Sequence, residues 1–80
     1  MLNIKVEIME DFLDGFVEIL EETDRDVLTS NTKFKDLDEW DSMTALMLIA
    51  MFDEKYNKKI TGDDIKESKT LNDLFEISQK

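Results

Sequence analysis

Few side chains in this sequence can do covalent chemistry. With no Cys and no His, thiol nucleophiles, disulfides, Cys/His zinc sites and His general bases are all excluded. What remains is a hydroxyl in an informative place. Ser42 stands between Asp41 and Met43, where an acidic stretch gives way to an apolar run. A serine opening a helix can do one of two things. Its hydroxyl can cap the free backbone N–H groups. Alternatively it can stay open, and the helix dipole and free N–H groups then favour a phosphate ester on it. Position alone leaves both readings standing, and capping is the commoner role of Ser there.

Carboxylates are the other candidates. Asp36, Asp38, Glu39 and Asp41 crowd the segment before Ser42. Catalytic carboxylate pairs need environments that push their pKa values apart, and pairs such as Glu21-Glu22 sit on open helix ends. Asp24-Arg25-Asp26 lacks the Gly and the later Glu of a calcium loop. No Gly-rich phosphate loop exists. A chain of 80 residues buries only about 60% of the surface it exposes when unfolded, so a large catalytic cavity would be costly. The expectation is one domain over residues 1–80, neither an enzyme nor a metal protein.

The elements that must position Ser42 are helical. There is no Pro, the two glycines are isolated, and long straight-chain residues favour helix. Met9, Phe12, Leu13, Phe16, Val17 and Leu20 recur at helical spacing and predict a first helix from about Asn3 to Glu21. Ile4, Val6 and Ile8 alternate like a strand, so its first turn is weakly encoded. Residues 22–41 show no sustained period and predict a long loop, anchored by Val27, Leu28, Phe34 and Leu37; loops of that length are often functional. A second helix is expected from Ser42 to about Asn57, with Lys55, Lys58 and Lys59 suiting the negative end of its dipole. Thr61 to Asp64 and Thr70 to Asp73 each fit a capping box, opening a short third helix and a fourth. Ile65, Leu71, Leu74, Phe75 and Ile77 would close the bundle.

Charge narrows the partners. Residues 1–41 hold 13 Asp/Glu against 4 Lys/Arg, a net −9, and residues 42–80 hold 7 against 6, a net −1. Such a field repels nucleic acid and anionic membranes and steers toward basic protein surfaces. It also serves plain solubility. The apolar run Met43 to Phe52 is far short of the roughly 20 residues a membrane span needs. Met1 to Glu10 lacks the basic start and apolar block of a signal peptide, so the expected location is the cytoplasm.

From Phe34 to Ile77 the sequence resembles the acyl and peptidyl carrier proteins. The resemblance is carried by Leu37, by Asp41-Ser42-Met43, by the apolar series Leu46, Leu48, Ile49, Phe52 and Tyr56, and by Ile60, Ile65, Leu71 and Leu74. It implies an all-α, four-helix acyl-carrier-like bundle with three main helices, one short helix and a long first loop. It implies that Ser42 carries 4'-phosphopantetheine, transferred from coenzyme A by a holo-acyl-carrier synthase (a phosphopantetheinyl transferase) using Mg²⁺. The thiol of that arm would hold acyl or aminoacyl groups as thioesters, supplying the sulfur the chain lacks. Loading ligases or transferases would be the further partners of a stand-alone, monomeric carrier. Asp36, Asp38, Glu39 and Asp41 would present Ser42 to a basic enzyme, or simply form a solvated acidic loop.

Some positions depart from the family's pattern. Met43 replaces the usual Leu, a conservative change in volume. Trp40 stands where a small residue is common, and can anchor the loop in the core or stack beside the arm. Thr44 and Met47 occupy places where fatty-acid carriers often have acids. Met43, Met47 and Met51 fall in an i, i+4, i+8 row, which either forms an adaptable apolar docking strip or is covered by the bundle. Two other functions compete: a small acidic helical adaptor with no covalent arm, and, less well matched, a mimic of nucleic-acid charge.

Overall fold

The computed structural model describes residues 4–80, with side chains from Glu7 onward. In chain order it holds α1 (Ile4–Glu18), α2 (Ser42–Tyr56), α3 (Gly62–Glu67) and α4 (Leu71–Ser78), with two three-residue 3₁₀ turns, Arg25–Val27 and Phe34–Asp36, between α1 and α2. No strand occurs among the described residues. The expected helix start at Asn3, and the Ile4 and Val6 side chains, lie outside what is described.

The predicted face of α1 is the one that packs. Phe12, Leu13, Phe16 and Leu20 are buried, and Met9 and Val17 are half-buried. Phe12 joins three helices: its ring meets Phe52 of α2 edge-on at 6.0 Å and Phe75 of α4 at 5.7 Å. Burying one such ring contributes about 1.5–3 kcal/mol, and the edge-on pairs add about 0.5–1.5 kcal/mol each. Gly15 lets α1 and α2 approach: a Cβ there would lie 3.3 Å from Lys55 Cδ and 3.5 Å from Met51 Sδ.

The helix stops at Glu18, short of the expected Glu21. Ile19 and Leu20 donate to Phe16 and Val17, three residues back, at 3.2 and 3.0 Å. The next N–H groups, of Glu21, Glu22 and Thr23, would continue the ladder to the carbonyls of residues 17–19. They donate instead to the Glu39 carboxylate. A distant side chain thus outcompetes the local helix.

The loop is more ordered than its lack of period implied. Leu28 and Phe34 are buried and Leu37 is half-buried, as expected of anchors. Val27 is not an anchor: it is 53% exposed, because the 3₁₀ turn points the next residue, Leu28, into the core. Arg25 fixes that turn to α1 through ion pairs with Glu10 and Asp14. Farther on, Thr32 and Ser30 carbonyls accept from the N–H groups of Leu71 and Asn72 at 3.0 and 2.9 Å, tying the loop to the start of α4. Phe34 meets Phe16 at 6.4 Å and Trp40 at 4.9 Å, both edge-on. Trp40 is therefore a core anchor of the loop.

α2 buries Leu48 and Phe52 completely and leaves Ile49 and Tyr56 half-buried. It ends at Tyr56, with Asn57 at φ 53° and its N–H donating to Asp53 O at 3.1 Å; Asn tolerates that left-handed cap. Both predicted capping boxes form. Asp64 N donates to Thr61 Oγ1 at 3.1 Å while Thr61 N donates to Asp64 Oδ2 at 2.9 Å. Asp73 N donates to Thr70 Oγ1 at 3.3 Å and Thr70 N to Asp73 Oδ2 at 3.1 Å. Ile65, Leu71, Leu74 and Phe75 are buried and Ile77 half-buried, closing the bundle.

Candidate functional site

The start of α2 shows which residue caps it. The capping residue is Asp41, whose extended backbone and carboxylate precede the helix. Asp41 Oδ1 accepts from Thr44 N at 2.8 Å. Thr44 Oγ1 lies 2.9 Å from the Glu39 carbonyl and 3.0 Å from Asp41 Oδ1, sharing one proton between them. Those bonds, first from the Thr44 N–H and then from its hydroxyl, hold the Asp41 carboxyl below its ordinary range. The capping task that sequence reasoning offered to Ser42 is thus done by its neighbour.

Ser42 is left as the first helical residue, exposed, with no hydrogen bond to its hydroxyl among the described residues. The other serines differ. Ser68 and Ser78 are buried, and their Oγ atoms donate to Asp64 O at 2.9 Å and Phe75 O at 2.5 Å. Ser30 is half-buried in the loop tied to α4. Ser42 alone combines an open hydroxyl with the N-terminus of a 15-residue helix, whose partial positive charge favours a phosphodiester.

The acids before Ser42 divide into two groups. Asp36 and Asp38 are exposed. Glu39, expected to present Ser42 to a partner, is instead occupied internally. Its Oε1 accepts from Glu21 N at 2.6 Å and Glu22 N at 2.9 Å; its Oε2 accepts from Thr23 N at 2.5 Å and from the Thr23 hydroxyl. The Thr23 hydroxyl foremost, then the N–H groups of Glu22, Glu21 and Thr23, hold its carboxyl below its ordinary value of 4.5. This staple fixes the residues just before Ser42 to the end of α1. No local pattern announces it, because its partners lie 16–18 residues away.

The methionine row also divides. Met43 is 62% exposed, Met47 is half-buried, and Met51 is buried. An i, i+4 row drifts by about 40° per step around a helix of 3.6 residues per turn, so by Met51 it has rotated into the contact with Gly15 of α1. Met51 is a core residue, not part of a strip. The open face runs instead through Ser42, Met43, Leu46, Ala50 and Asp53, all exposed. Leu46, 61% exposed, was named in the sequence only within the apolar series of the resemblance and not as a surface residue; its i+4 spacing from Ser42 was the available signal. Thr44, in a place where an acid is common, is buried in the cap.

Set beside known families, residues 10–77 match the model of the phosphopantetheine attachment site. The chain belongs to this carrier family. Nothing matches among the curated proteins or the solved structures. Carriers of this family are not enzymes. They hold 4'-phosphopantetheine covalently on a serine, and they meet phosphopantetheinyl transferases and acyl-loading enzymes. The residues present here fit that group: an unbonded serine hydroxyl at a helix N-terminus, in a chain without a thiol of its own. When bound, the arm supplies the nucleophilic thiol. What this carrier contributes is a rigid, capped helix end and a stapled loop beside it. No described helix is long and apolar enough to cross a membrane.

Proposed function

We propose that this is a stand-alone carrier in which Ser42 takes the phosphopantetheine arm and delivers acyl or aminoacyl thioesters between enzymes of a specialised pathway. The observation that carries this reading is the division of labour at α2, where Asp41 caps the helix and the Ser42 hydroxyl stays open. Asp36, Asp38 and Asp41 supply negative charge beside it, and Met43 and Met47 supply apolar surface. These suit enzymes with a basic rim around an apolar contact. The apolar exchange at Met47, where fatty-acid carriers often have an acid, sets this carrier apart from ordinary fatty-acid synthesis. The small, filled core favours short or polar cargo held outside the bundle.

Incubation with coenzyme A, Mg²⁺ and a broad-specificity phosphopantetheinyl transferase tests this by intact mass. The expected result is one phosphopantetheine added to the native chain and none to Ser42→Ala. A native chain that stays unmodified, while a control carrier is modified in the same tube, overturns the reading and leaves the unarmed acidic adaptor.

A further inference from the structure

Two grooves meet on the face shared by α1 and α2. One, of about 350 Å³, lies beside the Ser42 end and is lined by Ile19, Met43 and Met47, with Glu21 and Glu22 at its edge. The other, of about 410 Å³, continues along the helices past Gly15, Ala50 and Met51, with Glu18 and Glu54 at its edge. Ile19 and Met47 line both. Past Gly15, which contributes no side chain, the floor is low and mainly apolar, whereas beside Ser42 the side chains of Glu39, Asp41 and Thr44 also line it and make it about half polar.

The rim is one-sided in charge. Glu18, Glu21, Glu22 and Glu54 are exposed, and their carboxylates make no ion pair or hydrogen bond among the described residues. Lys55, the cation of the lining, pairs with Asp11 at 3.2 Å. By contrast the groove on the other side of α2, lined by Leu46, Ile49, Asp53, Lys59 and Ile60, holds one acid and one base and has no charge preference.

We propose that the α1–α2 groove is the docking site for a basic amphipathic segment of a partner enzyme, its apolar residues on Ile19 and Met47 and its Lys or Arg side chains on the four free glutamates. The assignment rests on the carrier reading in one respect, that the segment belongs to an enzyme serving the arm. Methionine is an adaptable contact for such apolar residues. Unpaired rim charges act mainly on encounter rate and on the choice among partners. An acidic partner or a phosphate-bearing surface is repelled from the same groove.

The test is NMR titration of the ¹⁵N-labelled chain with a synthetic helical peptide that has a Leu face bordered by Lys. A control peptide replaces the Leu face with Ser. The expected result is saturable shifts confined to residues 15–22 and 43–55, absent with the control and weakened by salt. Met47→Lys, and separately Glu21→Gln with Glu22→Gln, should each weaken binding about tenfold. The glutamate pair touches no internal side-chain contact, so it remains informative if Met47→Lys does not fold. Equal binding of both peptides, shifts centred on Leu46 and Ile60, or shifts around Met9 and Phe75 overturn the assignment. The titration is repeated on Ser42→Ala, so failure of the groove and failure of the serine graft are read separately.

Discussion

Three helices of this molecule begin with a short polar residue, and they use it differently. At α3 and α4 the Thr61 and Thr70 hydroxyls accept the backbone N–H of Asp64 and Asp73, and the aspartates return the bond. Each hydroxyl is engaged in holding its helix. At α2 a carboxylate does that job, one residue earlier, and the serine hydroxyl that follows is engaged in nothing among the described residues. A hydroxyl cannot both close a helix end and offer itself for esterification without breaking the first bond to make the second. Moving the cap to Asp41 separates the two tasks, so that modifying Ser42 leaves the helix start intact.

The largest expected effect breaks the comparison in both directions. Ser42→Ala should abolish phosphopantetheine addition completely in the mass assay, yet change stability by less than about 0.5 kcal/mol, as a surface substitution without partners does. Thr70→Ala should do the reverse. It leaves the mass addition intact and destabilises the fold by about 1 kcal/mol, the usual cost of a lost hydroxyl cap. That lowers the melting temperature by about 4–8 °C in a domain of this size. Thr61→Ala should cost less than Thr70→Ala. α3 buries only Ile65 among its apolar residues, whereas α4 buries Leu71, Leu74 and Phe75. A chemical-denaturation series on the three variants checks the order. Equal losses of stability in all three would mean that Ser42 is a structural cap after all.

A second contrast is between Glu39 and its neighbours Asp36 and Asp38. Glu39 is held by backbone N–H groups at the end of α1 and its carboxyl lies below 4.5; the other two are exposed. A carboxyl whose folded pKa is depressed contributes stability that is fully present above its unfolded value and lost as pH falls through the folded one. The Glu39 contribution therefore persists above about pH 4.5 and disappears on acidification below it. Glu39→Gln should lower the urea midpoint at neutral pH, since an amide presents only one acceptor oxygen where the carboxylate presents two. It should also flatten the acid limb of the profile. Asp36→Asn and Asp38→Asn should leave both unchanged and act only on encounter with basic enzymes. The acid limb will not vanish in Glu39→Gln. Asp64 and Asp73 are held low by their own boxes, through the N–H groups of Thr61 and of Lys69 and Thr70 respectively.

How far the sequence disclosed this molecule depended on the distance over which each signal acts. Both capping boxes and the packed face of α1 were legible because their partners lie within one or two turns. The family itself was legible from Asp41-Ser42-Met43 and the helix after it. What was hidden depends on contacts between segments far apart. The early end of α1 and the inward turn of Glu39 are one event, a carboxylate reaching across the loop. Met51 differs from Met43 only through rotation of the row toward α1. Val27 and Leu28 are adjacent apolar residues, and only the 3₁₀ turn, pinned by Arg25 to Glu10 and Asp14, decides which of them enters the core.

The far end of α2 sharpens the comparison from the other side. There a hydroxyl is enclosed and unused. The Tyr56 oxygen is buried without a hydrogen-bond partner among the described residues, its ring held at 5.6 Å from Phe52 and 6.1 Å from Phe12. Burial, and secondarily the Asp11 carboxylate, push its pKa up from 10.0 to about 12. The unfolded chain loses this proton near pH 10 while the folded one keeps it, so stability is undiminished below about pH 10 and falls as pH rises toward 12. Tyr56→Phe removes an unsatisfied polar atom and keeps the ring. It should raise stability by up to about 1 kcal/mol at neutral pH and weaken the alkaline fall, both read from urea midpoints between neutral pH and the alkaline limb. Addition of phosphopantetheine at Ser42 should be untouched, because the two hydroxyls stand at opposite ends of one helix and only the uncovered one is chemically available.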